Sequence, residues 1–467
     1  MGLAGCGVLA AGNVLLGYEG SVVLSLWPVA VAGCAAVVLR PSWGIYAAIL
    51  SVPLETATLP VGGGQLTPAK ALLLLTAVVL AVRWAREGAQ RSPHPAHLAV
   101  AATLVLALLS VTVARDSGQA LKICFVALAY TVVSLHVAGQ GRGEIDRILR
   151  CVVLSAGIVG IVAALTTGPQ QLLGDNAVGR AQAGFAQPNV FGVFLLLSIA
   201  PGLALSFRGG AVWRWTMRLC TAAAVAGLGL SLSRASIIGT VVTLAVLAAW
   251  PVVRRGLIAV ILLSITLLVF APSLLTSSPQ ITRVGQRLST LASGSGTVGG
   301  DRAALRATAP RMIADHPLLG VGEGNFANYS SDYKLYSPDG AGYDHAHNLF
   351  LTIGVELGVG GMLLLAVLVV SLAAACARAC TRDRRGRRDP LALALAGVFL
   401  GLLVESLGDY PLRTDVVLAV LLIEMGAVIA LARQRTGEIN AATLTNPAPH
   451  RLTPSRISAR APSAVRR

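Results

Sequence analysis

The stretch DHAHNLFLTIGVELGVGG, residues 344–361, decides how the rest of the chain is interpreted. It begins with two histidines, His345 and His347, and continues as an apolar segment to Leu372, which is long enough to cross a bilayer. An imidazole at the mouth of a membrane helix is costly to desolvate and stays within reach of a polar substrate. We interpret this junction as an active site, with the alternative that the two histidines only mark the water interface.

The composition is that of a membrane protein. Apolar residues make up 55% and charged residues 12% of the 467 residues, and the mean hydropathy is +0.73. Charge is too sparse to cover the surface of a soluble domain of this size. The net charge of +16 comes from arginines between apolar spans, where membrane topology explains them, so no nucleic-acid binding is predicted.

Apolar runs of bilayer length recur along the chain and predict an all-α polytopic membrane protein with about 12 to 14 transmembrane helices. One large extracytoplasmic loop precedes a late helix. The runs are placed at 21–39, 43–58, 67–82, 98–114, 119–137, 148–166, 188–207, 217–232, 235–252, 256–272, 348–372, 391–408 and 414–432. The predicted units are an N-terminal transmembrane bundle (1–272), the extracytoplasmic loop (273–346), the C-terminal transmembrane helices (347–433) and a disordered cytoplasmic tail (434–467).

The distribution of arginines predicts the orientation. Six alternate loops carry 18 arginines, whereas the short loops and span ends on the other face carry six basic residues. Because basic loops stay in the cytoplasm, the loop 273–346 and His347 are predicted to face outside. Neither ATP nor a sugar nucleotide is available there, so the substrate must arrive already activated. A lipid-linked donor is the natural candidate.

The large loop contains arginines that suit a phosphate. A run of small residues, SGSGTVGG at 293–300, is predicted to be flexible, and Asp301 then precedes a helical pattern. Arg302 and Arg306 fall at i and i+4 on one side of that helix. Two guanidiniums near a membrane surface favour a phosphate ligand, with an ordinary solvated helix face as the alternative.

Other polar residues lie at the ends of the spans or inside them. Arg234, in SLSRAS, lies between two apolar runs with almost no loop to hold it, so its charge needs an anionic partner. Arg180 precedes GFAQPN, in which Asn189 is interpreted as a helix cap. Glu356, nine residues past His347, is predicted to lock helices together. No HExxH or CxxC pattern occurs, so neither a metal site nor a cofactor is predicted.

Together these motifs resemble the O-antigen ligase and O-antigen polymerase superfamily of membrane glycosyltransferases. The resemblance covers most of the chain from about Pro41. It is sharpest in RAQAGFAQPN from Arg180, SLSRAS around Arg234, the block from DRAALR to HPLLGVGEGNF, and HNLFLTIGVELGVGG from His347.

The resemblance implies roles for individual residues. The family's functional histidine follows the large outward loop in an HN context, which His347 and Asn348 match, and His345 is the weaker candidate. Asn348, His345 and Glu356 are assigned supporting roles. The arginines that bind the donor diphosphate carry over to three positions: Arg234, Arg302 and, with a looser match, Arg180.

These inferences predict a metal-independent, inverting glycosyltransferase. It would move a glycan from an undecaprenyl diphosphate-linked donor to a hydroxyl of a glycan or lipid-glycan acceptor. Its place would be the bacterial cytoplasmic membrane, among membrane lipids, with the active site facing outside. The alternatives are a transporter or flippase of lipid-linked saccharides and a peptidoglycan polymerase of the cell-shape and division family. Ligase and polymerase differ only in the acceptor, and that choice and the oligomeric state stay open.

Overall fold

The computed structural model describes residues 33–55, 58–61, 64–88, 93–167, 180–255, 297–335, 343–383 and 385–445. The helices are α1 (Pro41–Leu50), α2 (Pro68–Glu87), α3 (Pro95–Ser110), α4 (Ser117–Val137), α5 (Arg142–Thr166), α6 (Pro188–Leu205), α7 (Ala211–Ser231), α8 (Arg234–Leu247), α9 (Thr297–Asp315), α10 (Phe326–Ser330), α11 (Leu349–Ala379), α12 (Pro390–Glu405) and α13 (Asp415–Thr445). Two short strands, β1 (Leu59–Val61) and β2 (Gly64–Leu66), pair antiparallel between α1 and α2. Single 3₁₀ turns occupy Val52–Leu54, Ser331–Tyr333 and Pro411–Arg413.

The chain is an all-α polytopic membrane protein, as the composition predicts. Within the described residues, six helices are long and apolar enough to cross a membrane: α2, α4, α5, α6, α11 and α13. The apolar helices α3, α8 and α12 are shorter. Most of the predicted span 21–39 and all of the span 256–272 lie outside the described residues, so the total of about 12 to 14 spans stays a prediction.

Helix starts follow local sequence signals. Proline occupies the first position of α2, α3 and α12, where its missing N–H costs nothing. The residue before each proline accepts a hydrogen bond from the first turn: Thr67, His94 and Asp389. Capped starts of this kind explain why the helices begin within a few residues of the apolar runs.

Two expectations about boundaries are wrong. The helix α9 begins at Thr297, so Asp301 lies inside it and residues 297–300 of the predicted flexible run are helical, while 293–296 lie outside the described residues. At the other end of the chain, α13 continues to Thr445, so the first part of the predicted disordered tail is helical. Residues 446–467 lie outside the described part. No proline occurs between Asp415 and Thr445, and α13 continues through Gly426 and Gly437.

The large loop brings its own small core. Leu305 and Met312 of α9 and Phe326 of α10 are fully buried and pack with Val321 and with Val355 of α11. The described part of the loop, residues 297–335, therefore covers the N-terminal end of α11. We call it the insert.

The helix α11 is broken at Gly358, and the insert is joined to the break. Gly358 has φ 65° and ψ −163°, which divides the helix into residues 349–357 and 359–379. The second part alone is about 31 Å long and matches a bilayer core. Three backbone hydrogen bonds close the break, from Val321 N to Val355 O (2.9 Å), from Gly322 N to Glu356 O (3.0 Å) and from Val359 N to Pro317 O (2.9 Å).

Close backbone contact between α8 and α12 brings the start of α8 next to the end of α12. A Cβ added to Gly401 of α12 would overlap the carbonyl oxygen of Gly239 and Oγ1 of Thr243, both on α8. Small residues allow helices in a membrane to approach in this way. The contact places Arg234, the first residue of α8, at the same end of the bundle as the turn that contains Asp409.

We predict that Gly401→Ala destabilises the bundle, because its methyl group would force α8 and α12 apart. Overpacking of this kind costs about 1–3 kcal/mol. The matched control is Gly229→Ala in α7, where a Cβ meets no other atom and alanine favours the helix. The measurement is the apparent melting temperature of purified protein in detergent, and equal values for Gly401→Ala and the wild type would contradict the close contact.

Candidate functional site

One buried carboxylate contacts polar side chains near the start of α6, the start of α11 and the end of α12. Asp409 is 8% exposed. Its Oδ1 lies 3.3 Å from Nε2 of His345 and 3.2 Å from Nδ1 of His347, and its Oδ2 accepts a 2.7 Å hydrogen bond from Nδ2 of Asn189. Burial alone would raise the pKa of Asp409, but the hydrogen bonds from both histidines hold that pKa well below its ordinary value. Asp409 is therefore an anion that orients both imidazoles.

No local motif points to Asp409, which lies 62 residues after His347. Like Arg234, Asp409 is a charge in a short turn between two apolar spans, and this signal could have identified it from the sequence.

His345 is buried and uses both of its ring nitrogens. Its Nδ1 lies 2.6 Å from Oδ1 of Asp344 and its Nε2 faces Asp409. Burial by itself would lower the pKa of His345, but the two carboxylates raise that pKa above its ordinary value. With both nitrogens donating, His345 has no free lone pair to accept a proton from a substrate, so it fits a positioning role.

His347 has one ring nitrogen in use and one free. Its Nδ1 faces Asp409, its side chain is 21% exposed, and its Nε2 has no hydrogen-bond partner among the described residues. The two histidine rings lie 4.2 Å apart between centroids. A carboxylate that holds Nδ1 and leaves Nε2 accessible is the arrangement that prepares a histidine as a general base.

The backbone at His347 is strained. Its φ of 47° lies in the left-handed region, at a cost of about 1–3 kcal/mol for a residue other than glycine. The following residue fixes this conformation, because Oδ1 of Asn348 caps α11 at Leu351 N (3.0 Å) and its Nδ2 donates to Leu407 O (3.2 Å). Leu349 N also donates to Ser406 O (3.0 Å). Asn348 therefore orients the histidine through the main chain.

Arg180 reaches the same carboxylate through Asn189. Its Nη2 donates to Oδ1 of Asn189 (2.7 Å), and its Nε donates to Ser231 O (2.8 Å). The interpretation of Asn189 as a helix cap is wrong, since Gln187 occupies the cap position of α6. The amide of Asn189 instead joins a guanidinium on one side to Asp409 on the other.

Three arginines converge beside this network. Burial lowers the pKa of Arg180, and the neighbouring charges of Arg302 and Arg234 lower it further, against the opposite effect of Asp409. Nη1 of Arg302 lies 3.5 Å from Gly408 O, while its buried Nε has no acceptor in the described part of the chain. Arg234 is exposed and makes no hydrogen bond or ion pair with a described residue. Three guanidiniums near one carboxylate leave positive charge that an anionic ligand would neutralise.

Two further predicted residues have structural contacts. Arg306 lies one turn after Arg302, and its Nη2 donates to Leu407 O at 2.9 Å, so both arginines of this face reach the same turn. Glu356 is 2% exposed, and its Oε2 has no hydrogen-bond partner in the described part of the chain. Its main-chain carbonyl accepts the hydrogen bond from Gly322 N, so Glu356 contacts the insert through its backbone.

The histidine cluster could also hold a metal ion. His345, His347 and Asp409 each offer one ligand atom, and these atoms lie within 4.8 Å of one another. Two histidines and a carboxylate are a ligand set that divalent transition metals accept. The sequence showed no such group because its members come from separate segments. In the structure, the same atoms form hydrogen bonds centred on Oδ1 of Asp409.

Comparison with known proteins gives one family. Residues 219–366 match the family model described as O-Antigen ligase. The matched range contains Arg234, Arg302 and His347, whereas Arg180 and Asp409 lie outside it. None of the curated proteins matches the chain at a significant level.

Proposed function

We propose that this protein, which belongs to the O-antigen ligase and O-antigen polymerase family, transfers a glycan from an undecaprenyl diphosphate-linked donor to an acceptor hydroxyl. Family membership supports a glycosyltransferase-like enzyme that uses lipid-linked glycans in general. The observation that carries the finer proposal is the juxtaposition of an Asp409-oriented His347 with three arginines. His347 can accept a proton, and the three arginines can bind a diphosphate.

His347 is the proposed catalytic base. Its Nε2 accepts the proton of the acceptor hydroxyl while the hydroxyl oxygen bonds to the anomeric carbon of the donor sugar. Asp409 stabilises the imidazolium that results, in the way a carboxylate does in a catalytic triad. Attack from the side opposite the diphosphate inverts the anomeric configuration.

The arginines are the proposed binding site for the leaving group. As the bond between the anomeric carbon and the diphosphate oxygen breaks, negative charge grows on the diphosphate. Arg302 and Arg234 bind that charge directly, and Arg180 contributes from the Asn189 side. The unpaired Nε of Arg302 would gain an acceptor when the donor binds.

The alternative hypothesis is a transporter or flippase of lipid-linked saccharides. The broken helix α11 would favour it, because transporters use unwound helices at their binding sites. Here, however, the carbonyl groups freed at Gly358 accept hydrogen bonds from the insert. They are therefore not left free for a substrate, and the break serves to anchor the insert.

We predict that His347→Ala lowers glycan transfer by about 10²- to 10⁴-fold, the usual contribution of a general base, while donor binding is kept. His345→Gln should cost less, because His345 only positions Asp409. The measurement is transfer by purified protein from a lipid diphosphate-linked glycan, repeated with a chelator. Near wild-type transfer by His347→Ala would contradict the base assignment and point to His345. Loss of wild-type transfer upon chelation would contradict it and point to a metal ion.

We predict that Arg302→Lys weakens donor use by roughly 10- to 100-fold, because lysine keeps the charge but loses the planar fork that a diphosphate requires. Arg311→Lys is the matched control, since Arg311 is an exposed residue on the same helix and no hydrogen bond or ion pair is seen for it in the described region. The measurement is kcat/KM for the donor. An equal effect of the two substitutions would remove Arg302 from the donor site.

The proposed orientation places the site outside the bacterial cytoplasmic membrane. We predict that Leu318→Cys in the insert, where Leu318 is 81% exposed, reacts with a membrane-impermeant maleimide in intact cells. Arg385→Cys, in the exposed linker between α11 and α12, should react only after the cells are opened. Both are made in a background whose seven native cysteines are replaced by serine. The reverse labelling pattern would overturn the orientation.

A further inference from the structure

A second charged cavity lies at the opposite end of α11 and α12 from the histidine cluster. Its volume is about 920 Å³, and it is enclosed by the ends of α5, α6, α8 and α13 together with the linker between α11 and α12. Six arginines and three carboxylates line it, which leaves a formal excess of three positive charges. We call it the basic cavity.

Part of this charge is already compensated. Arg142 binds Asp389 with both terminal nitrogens and reaches Asp146 through Nε at 3.1 Å. Arg208 approaches the same Asp146 at 3.3 Å. This network forms one rigid wall of the basic cavity, in which two arginines face two carboxylates.

The opposite wall carries arginines without such partners. Arg382 and Arg388, in the linker between α11 and α12, are exposed and make no hydrogen bond or ion pair with any residue that the structure describes. Arg387 lies between them in the sequence, and its Nε is 3.7 Å from Oδ2 of Asp383. The free positive charge of the basic cavity is therefore concentrated on Arg382 and Arg388.

The remaining wall is apolar. Phe207 and Trp250 pack edge to face at 5.0 Å between ring centroids, and Phe207 is 44% exposed. Val252 also lines the basic cavity and is 49% exposed. These residues follow the ends of the apolar helices α6 and α8, where we expect the membrane surface to lie. The apolar wall would contribute no binding free energy to a soluble anion, whereas an acyl chain would pack against it.

We propose that the basic cavity binds one anionic phospholipid. Its phosphate is held by Arg382 and Arg388, and its acyl chain follows Phe207 and Val252 towards the hydrocarbon of the bilayer. Basic pockets between transmembrane helices bind acidic headgroups by this combination of charge and apolar contact. The proposal concerns a phosphate ligand at the end of the helices remote from glycan transfer, and it does not depend on the proposed enzymatic reaction.

Native mass spectrometry of the full-length protein in detergent tests this proposal, with phosphatidylglycerol and phosphatidylcholine titrated separately. The wild type should retain one phosphatidylglycerol molecule at concentrations where phosphatidylcholine is lost. One arginine near an anionic lipid contributes about fivefold in affinity, so the double variant Arg382→Gln with Arg388→Gln should bind phosphatidylglycerol roughly 30-fold more weakly. The variant Arg382→Lys with Arg388→Lys, which keeps the charge and guards against a folding defect, should retain most of the binding.

The matched control is Arg86→Gln with Arg385→Gln, which removes two exposed arginines from the same face outside the basic cavity. This control should bind phosphatidylglycerol like the wild type. An equal loss in the control would overturn the proposal in favour of general surface attraction. The proposal would also be overturned if the wild type retained phosphatidylcholine as well as it retains phosphatidylglycerol. Displacement of the lipid by millimolar inorganic phosphate would overturn it in favour of a site for free phosphate.

Discussion

The carboxylate of Asp409 is the interaction on which the polar end of this helix bundle depends. One oxygen receives both histidines of the segment before α11, and the other receives Asn189 from the start of α6. Through Asn189 it also reaches Arg180. A buried carboxylate with one partner would be unfavourable. Hydrogen bonds with His345, His347 and Asn189, and the nearby charge of Arg180, stabilise the ionised form of Asp409. Segments far apart in the chain are thereby held at one point.

The arginines around that carboxylate are kept together against their mutual repulsion. The contact between α8 and α12 fixes the end of α8 that carries Arg234, and the insert fixes α9, so packing holds Arg234 and Arg302 near each other. An anionic ligand would relieve the repulsion between these guanidiniums. In the proposed reaction, little reorganisation would then be needed as charge develops on the departing diphosphate.

The apolar runs sufficed to predict the helices, because a span is a property of contiguous residues. α2, α4 and α6 begin within two residues of the predicted spans. His347, Arg234 and Arg302 were predicted as site residues because each lies in a local motif. Asp409 and Asn189 were not assigned their roles, since these arise only when α6 and α12 meet. The break at Gly358 was also not predicted, because the surrounding residues are apolar and only the bond pattern with the insert reveals it.

The left-handed backbone at His347 restricts which amino acids can occupy that position. Among residues other than glycine, asparagine, aspartate and histidine tolerate this conformation best. Of these, only histidine has an unperturbed pKa close to neutrality. Main-chain geometry and the proposed proton transfer therefore both favour histidine at this position. Asparagine or aspartate would suit the backbone but would remove the imidazole that the proposed reaction uses, so few substitutions meet both requirements.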